Sequence, residues 1–439
     1  MATHVDSVDE QSLYRKVTLR LLPFLLLCYV FAYLDRTNIG FAKIQMQQEM
    51  PHLTDAVFGL GAGIFFIAYA CLEIPSNLLM HRIGARKTIT RIMVLWGIAS
   101  MAMLFVQGPV SFYVLRVILG IFEAGFAPGI LLYFTYWFPA KRLAFVMGIF
   151  ATAGPIGSIV GASTSGLIIG LMHDTGGLSG WQWMFLLQGF PALVLGILFW
   201  FVIPDRPATA PWLNDGERVA LDRNLSITSE GHAASRFVDV LKTPAVYVMA
   251  LAYFGIMCGI YAVSFWLPTI LHDSGIVSPI VLGFVTAVPY LITIPVVLAM
   301  TWHSDRKRDR FWHSFIPTLV GAAGLVAAVV WSNQFAISFM ALCLAVCMIQ
   351  SAYAVFWAVP TETFGGTGAA GGIAFINTIG ILGGFVAPTI MGFVQQATGS
   401  SRGGLMTMVA LLLVSAAALA VLKQTLWKQK PEVVSAPQD

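Results

Sequence analysis

Apolar stretches of roughly 20 residues recur along the whole chain, each long enough to cross a hydrocarbon layer of about 30 Å as a helix. They fall near residues 17–40, 56–80, 88–107, 111–134, 144–171, 183–203, 244–270, 280–302, 313–332, 335–358, 366–394 and 403–427. In hydrocarbon the backbone N–H and C=O groups find no water, so only helices and closed barrels can span it. Barrel strands would show about ten residues of strict alternation, and these runs do not alternate. The expected fold class is all-α, a polytopic membrane protein with twelve transmembrane helices. Only 10% of the 439 residues are charged, against about 25% in an average soluble domain. That is too few to cover a water-facing surface.

Orientation follows from Lys and Arg, which accumulate in cytoplasmic loops. With the N-terminus inside, all of the 25 Lys and Arg except Arg36, Lys43, Arg116 and Arg402 fall at the cytoplasmic side. Lys43 and Arg402 lie outside, and Arg36 and Arg116 lie within the membrane. An even number of spans returns the C-terminus to the cytoplasm. The expected location is a bacterial inner membrane. The longest hydrophilic stretch, Pro204 to about Thr243, reads as a linker with one short amphipathic helix from about Asn214. It separates an N-terminal six-helix bundle, 1–203, from a C-terminal one, 244–439, with 204–243 as the cytoplasmic linker. Both halves carry a basic loop after their second span, His81-Arg82-Ile83-Gly84-Ala85-Arg86-Lys87 and His303-Ser304-Asp305-Arg306-Lys307-Arg308. Both end their fourth span on a Trp and a Pro, Trp137-Phe138-Pro139 and Trp357-Ala358-Val359-Pro360. Repeated halves with a site between them near the midplane are the plan of secondary transporters.

Several function classes drop out. Cys28, Cys71, Cys258, Cys343 and Cys347 all lie in apolar runs, which argues against a disulfide framework. Cys343 and Cys347 share a helix face with no His or carboxylate near them, so packing outweighs metal binding. The glycine-rich stretches, Gly154 to Gly166 and Gly371 to Gly384, lack the strand–loop–helix setting of a phosphate loop. They suit close helix packing. No cofactor, no metal and no nucleic-acid partner is expected, and no nucleophile–base pair suggests an enzyme. The first sixteen residues are polar and of mixed charge, and no cleavable signal peptide is expected.

The informative residues are charges inside the spans. Tyr33-Leu34-Asp35-Arg36-Thr37-Asn38 places an acid beside a base near the end of span one. A charge at mid-membrane costs on the order of 2.5–3.5 kcal/mol on insertion scales and faces a cavity or a partner. Glu73, Arg116 and Glu123 are the other intramembrane charges of this half. Asp35, Glu123, Arg36 and Arg116 sum to zero when ionised. Protonating one acid leaves a net positive site that attracts an anion. An Arg fork binds a carboxylate with two hydrogen bonds and stays charged. A purely structural ion-pair network is the competing reading. Arg116 suits either an acid's partner or a direct ligand. Glu73, beside Pro75 and the basic loop, suits a gate or a loop-packing salt bridge.

Twelve spans, a long central loop and a basic loop after span two resemble the major facilitator superfamily. Leu34-Asp35-Arg36-Thr37-Asn38-Ile39-Gly40-Phe41-Ala42 is similar to the first-span signature of its anion:cation symporter branch. So are Glu73-Ile74-Pro75-Ser76-Asn77-Leu78-Leu79 and Gly125-Phe126-Ala127-Pro128-Gly129. The wording resembles tartrate, phthalate and hydroxyphenylacetate permeases most. Asn77 and His81 stand where the superfamily's loop has Gly and Asp. The resemblance implies two pseudo-symmetric six-helix bundles and import of a small organic anion with protons by alternating access. It implies Asp35 and Glu123 as the proton-linked acids and Arg36 as the anchor of the substrate carboxylate. It also implies contacts from Tyr69, Trp357 and Asn377.

Tyr33 shares a helix face with Arg36, and Tyr33, Asn38 and Arg116 complete the expected substrate site. Tyr253, Tyr261, Trp266, Tyr290, Gln350 and Tyr353 are further candidates to line it from the second half. Gating is expected of Glu73, Arg82, Arg86, Asp305 and Arg306. The chain is expected to work as a monomer in the bilayer. A sodium-coupled symporter or an anion exchanger would use the same acids, and a non-transporting carboxylate receptor is the alternative class.

Overall fold

The computed structural model describes residues 9–229, 241–363 and 366–426. Among the described residues the fold is helical, with no strand and one isolated bridge between Thr175 and Leu178. Twelve helical segments are long and apolar enough to cross a membrane. In chain order, spans 1 to 6 are Glu10–Glu49, Asp55–Ile83, Ala85–Phe105, Pro109–Thr135, Phe145–Leu171 and Gly180–Val202. Spans 7 to 12 are Pro244–Asp273, Pro279–Lys307, Phe311–Val330, Phe335–Thr363, Gly371–Thr398 and Ser401–Gln424. Every apolar run of the sequence becomes one of them. Span 1 is longer than its hydrophobic core because polar ends continue the helix into Glu10 and out to Glu49.

Several spans are interrupted. Span 1 breaks at Asn38, between helices Glu10–Thr37 and Ile39–Glu49. Span 4 breaks between Pro109–Glu123 and Phe126–Thr135, where Gly125 takes φ +88°, a left-handed conformation that suits glycine. Span 10 breaks at Trp357, and span 11 between Ile381 and Gly383. Broken helices at membrane depth are tolerated where the freed backbone lines a cavity or is buried in protein.

The chain forms two compact units. The first comprises Met1–His232, Ser264–Ile294 and Pro388–Ser401, and the second Ala233–Val263, Pro295–Ala387 and Arg402–Asp439. In the first unit, span 3 packs along span 6 and span 1 along span 5. In the second, span 9 packs along span 10.

Within the first unit, at the membrane face away from the central linker, glycines let backbones touch. A Cβ on Gly40 would lie 2.6 Å from the carbonyl oxygen of Phe265, and one on Gly59 2.2 Å from that of Pro388. A Cβ on Gly166 would lie 2.4 Å from the oxygen of Pro279. Span 1 thus meets span 7, span 2 meets span 11, and span 5 meets span 8, each with no room for a methyl group.

The amphipathic linker helix forms over Asp215–Ser229. Its start is fixed by a reciprocal pair of capping bonds. The Glu217 N–H donates to Asn214 Oδ1 at 2.8 Å, and the Asn214 N–H donates to Glu217 Oε2 at 2.9 Å. Arg236, Lys428 and Lys430, counted above among the cytoplasmic charges, lie outside the described residues.

Candidate functional site

The charged residues of the first unit converge at the helix breaks. Asp35 and Arg36 precede the break of span 1, and Glu123 is the last residue before the break of span 4. Asp35, Arg36, Arg116 and Glu123 are all buried. Arg36 Nε donates to Glu123 Oε1 at 2.7 Å, and its Nη2 lies 2.6 Å from the same oxygen. Glu123 Oε2 is buried and has no hydrogen-bond partner among the described residues. The Arg36 guanidinium also lies against three rings, Tyr69 at 5.1 Å, Tyr33 at 5.9 Å and Phe65 at 5.9 Å from their centroids. Tyr33, Tyr69, Arg36 and Glu123 thus lie together in one cluster.

Asp35 lies in a different setting, although it is the next residue in the chain. Successive side chains on a helix point about 100° apart, so Asp35 turns towards span 3. Its Oδ2 accepts from Trp96 Nε1 at 2.7 Å. Its Oδ1 accepts from the Ser100 hydroxyl and, at 3.2 Å, from Asn38 Nδ2. Trp96 and Ser100 are fully buried and were not among the sequence candidates. Their one sequence signal is an i, i+4 pair of hydrogen-bonding groups on one face of an apolar helix. Asn38 serves as a ligand of Asp35 in this arrangement.

Of the two roles open to Arg116, the geometry gives a third. Nε and Nη2 donate to the backbone carbonyls of Gly61 and Ala62, each at 3.1 Å, and the guanidinium lies 4.8 Å from the Phe65 ring centroid. It braces span 4 against span 2 while leaving a fixed positive charge beside the acids.

Lys43, read from the sequence as an outside loop residue, is 1% exposed. Its Nζ lies 2.8 Å from Asp55 Oδ1 and 3.5 Å from the centroid of the Trp266 ring. This joins span 1 to the start of span 2 and to span 7, beside the Gly40 contact. Trp266 is thereby committed to Lys43 at the membrane face away from the linker.

In the second unit, Trp357 sits at the break of span 10 and packs edge-on to Tyr253 at 4.8 Å. Tyr253 also stacks with Phe356 at 5.3 Å and Tyr353 at 6.0 Å. Asn377 is half-buried one turn before Gly380, where a Cβ would collide with the Tyr253 ring.

The gating candidates divide. Glu73 is buried one turn beyond Tyr69. Arg86 donates from its backbone N–H to Asp205 Oδ1 at 2.8 Å and from Nε to the Ile203 carbonyl at 2.9 Å, which ties the start of span 3 to the end of span 6. Arg82 is exposed. Asp305 accepts from Arg310, whose Nε donates to Glu362 Oε1 at 2.8 Å. Arg306 instead lies over Trp302, 5.4 Å from the ring centroid. The ion-pair bracket of this loop therefore uses Arg310 and Glu362, which sequence reasoning passed over. At the linker, Lys16 Nζ donates to both carboxylate oxygens of Glu217, at 2.9 and 2.8 Å. Partial burial works to raise the pKa of Glu217, but Lys16 and the Asn214 N–H outweigh it and hold the carboxyl below its ordinary range.

Comparison with known proteins agrees with this architecture. The sequence profile of the Major Facilitator Superfamily matches residues 25–421. The chain is 42% identical over 423 residues to a protein of Agrobacterium vitis named "Putative tartrate transporter", covering 96% of this chain and 97% of that protein. It is 36% identical over 430 residues to a "Quinolone resistance transporter" of Acinetobacter baumannii, covering 97% and 98%. Among solved structures, a bacterial homologue of the human lysosomal transporter Spinster superposes with a TM-score of 0.77 at 16% identity, over 96% of this chain and 99% of that one. Twelve spans, the buried charges at their breaks and a family match over nearly the whole length carry one conclusion: this multi-pass membrane protein is a transporter, not an enzyme, and belongs to the Major Facilitator Superfamily.

Proposed function

We propose that the protein imports a small organic anion together with protons by alternating access. The observation that carries this reading is the state of Glu123. One oxygen takes both contacts from Arg36, and the other is buried with no hydrogen-bond partner among the described residues. A proton arriving at Oε2 cancels the charge that holds Arg36. The guanidinium then turns its two donors to a carboxylate from solution. Asp35 is the second proton-linked acid, and Arg116 keeps the local charge positive once an acid is neutralised. The anion therefore binds well only after protonation, and its release favours proton loss. Tyr33, Tyr69 and Asn38 line or support the site in the first unit; within the second unit, Trp357 and Asn377 are the residues offered for ring and amide contacts with substrate.

The two proposed domains, residues 1–203 and 244–439, exchange access, with 204–243 as their tether. Glu73, Arg82, Arg86, Asp305 and Arg306 act in or beside the cytoplasmic gate. The protein works as a monomer in a bacterial inner membrane, with both termini in the cytoplasm. The relative named for tartrate supports a carboxylate cargo. Tartrate-like hydroxy acids and aromatic acids such as phthalate or hydroxyphenylacetate suit an Arg anchor among Tyr rings.

The test is uptake of labelled tartrate, phthalate and hydroxyphenylacetate into proteoliposomes. Expected are accumulation driven by an inward proton gradient, collapse with a protonophore and indifference to sodium. Asp35→Asn and Glu123→Gln abolish gradient-driven uptake. Unchanged proton-driven uptake in both variants would overturn the proposal. Binding without flux or counterflow would favour a receptor.

A further inference from the structure

Asp35 and Glu123 are buried acids in the same cluster, yet their hydrogen-bond environments differ in kind. The carboxylate of Asp35 meets three donors, and two of them, the Trp96 indole and the Asn38 amide nitrogen, can only donate. The third, the Ser100 hydroxyl, can donate or accept. A proton on Oδ2 would point at the Trp96 N–H. A proton on Oδ1 can be received by the Ser100 oxygen or, with the Asn38 amide turned over, by Asn38 Oδ1.

We infer that Trp96 and Ser100 on span 3 are positioning residues that set the proton affinity of Asp35: Trp96 favours the ionised carboxylate, and the Ser100 hydroxyl reverses from donor to acceptor when the proton arrives. The inference rests on the reading of Asp35 as a proton carrier.

The charges around Asp35 are few. Arg36 is its chain neighbour, and Arg116 and Glu123 approach from span 4. Spans 5 and 6, which pack on span 1, contain no acidic or basic residue between Phe145 and Leu171 or between Gly180 and Val202. Trp96, Ser100 and Asn38 therefore bias a site whose other electrostatic influences are one acid and two guanidinium groups. Each donor to a charged acceptor is worth about one to two pH units of proton affinity.

The experiment is an infrared pH titration of the protein in lipid, following the protonated-carboxyl band that disappears in Asp35→Asn. In Trp96→Phe, which keeps a ring but loses the N–H, the midpoint of that band is expected to rise by about one to two pH units. Ser100→Ala removes a partner of both the ionised and the protonated carboxyl, so its midpoint is expected to move less than that of Trp96→Phe, which guards against reading any cavity on span 3 as a lost donor. In uptake assays Trp96→Phe keeps its rate to higher external pH, because Asp35 holds its proton longer. An unmoved midpoint in Trp96→Phe, or an equal rise in Ser100→Ala, with the band still lost in Asp35→Asn, overturns the inference and leaves the transport reading intact. If Asp35→Asn removes no titrating band and leaves proton-driven uptake unchanged, the parent reading of Asp35 falls and takes this one with it.

Discussion

Replacing Glu123 with Gln isolates the charge that competes with substrate for Arg36. In the resting arrangement both Arg36 contacts fall on Glu123 Oε1, at 2.7 and 2.6 Å. Gln keeps an oxygen at that place but loses the negative charge. A hydrogen bond to an ionised group is worth about 1.5–3 kcal/mol and a neutral one about 0.5–1.5. Neutralising the Nε hydrogen bond, and with it the Nη2 ion pair, thus loses about 2 kcal/mol of hold on the guanidinium, or roughly thirtyfold in the affinity left for a competing anion. The variant should bind the anion at alkaline pH about as tightly as the parent does at acidic pH. Its binding should vary less with pH than the parent's, because one of the two acids is gone and only Asp35 is left to titrate. Gradient-driven uptake should fail while anion counterflow persists. Equilibrium binding of labelled carboxylate to purified protein, at acidic and at alkaline pH, measures this directly. If Glu123→Gln binds as weakly as the parent at alkaline pH, the competition between Glu123 and substrate for Arg36 is not what gates binding.

Lys43→Met removes the ammonium from the Trp266 ring and from Asp55. Loss of a desolvated cation–π contact of about 2 kcal/mol should open that side of the first unit roughly thirtyfold more often, read as faster maleimide labelling of a cysteine placed at Leu53; unchanged labelling would refute it. Gly59→Ala and Gly392→Ala put a methyl 2.2 Å from the Pro388 oxygen and 2.3 Å from the Asp55 oxygen. Each should cost about 1–3 kcal/mol in the arrangement where these backbones touch and stop transport while sparing anion binding, so wild-type uptake in both would contradict the packing argument. Glu217 has its folded-state pKa depressed, so its contribution is present above the ordinary value of 4.5 and is lost as pH falls through the lowered one. Glu217→Gln should therefore speed hydrogen exchange of the Asp215–Ser229 helix at neutral pH, with the difference closing in acid; equal exchange at neutral pH would refute it.

How far this was legible in the sequence depends on the range of the physics involved. The spans were legible because a bilayer demands about 20 consecutive apolar residues wherever a helix crosses. The intramembrane charges were legible because their cost makes them rare. The start of the linker helix could be read from Asn214 and Glu217, since a capping box is local. Partners brought in from other helices were not. Trp96 and Ser100 lie more than sixty residues from Asp35 and look like ordinary members of an apolar run. Arg116 binds backbone carbonyls, which any sequence supplies. Lys43 follows the hydrophobic core of span 1 and reads as a loop residue until span 7 covers it with Trp266. Arg310 was passed over for Arg306 because a run of basic residues does not reveal which one meets Glu362.

The adjacency of Asp35 and Arg36 has a mechanical consequence. One residue contacts span 3 through its acid, and the next contacts span 4 through its base. A single peptide bond joins the two, just ahead of the interruption at Asn38. Any twist of span 1 that withdraws the acid from the indole also swings the guanidinium, in the same motion and by a comparable angle. No relay of intervening side chains is required to tell one seat what has happened at the other, because the wire between them is covalent and one residue long.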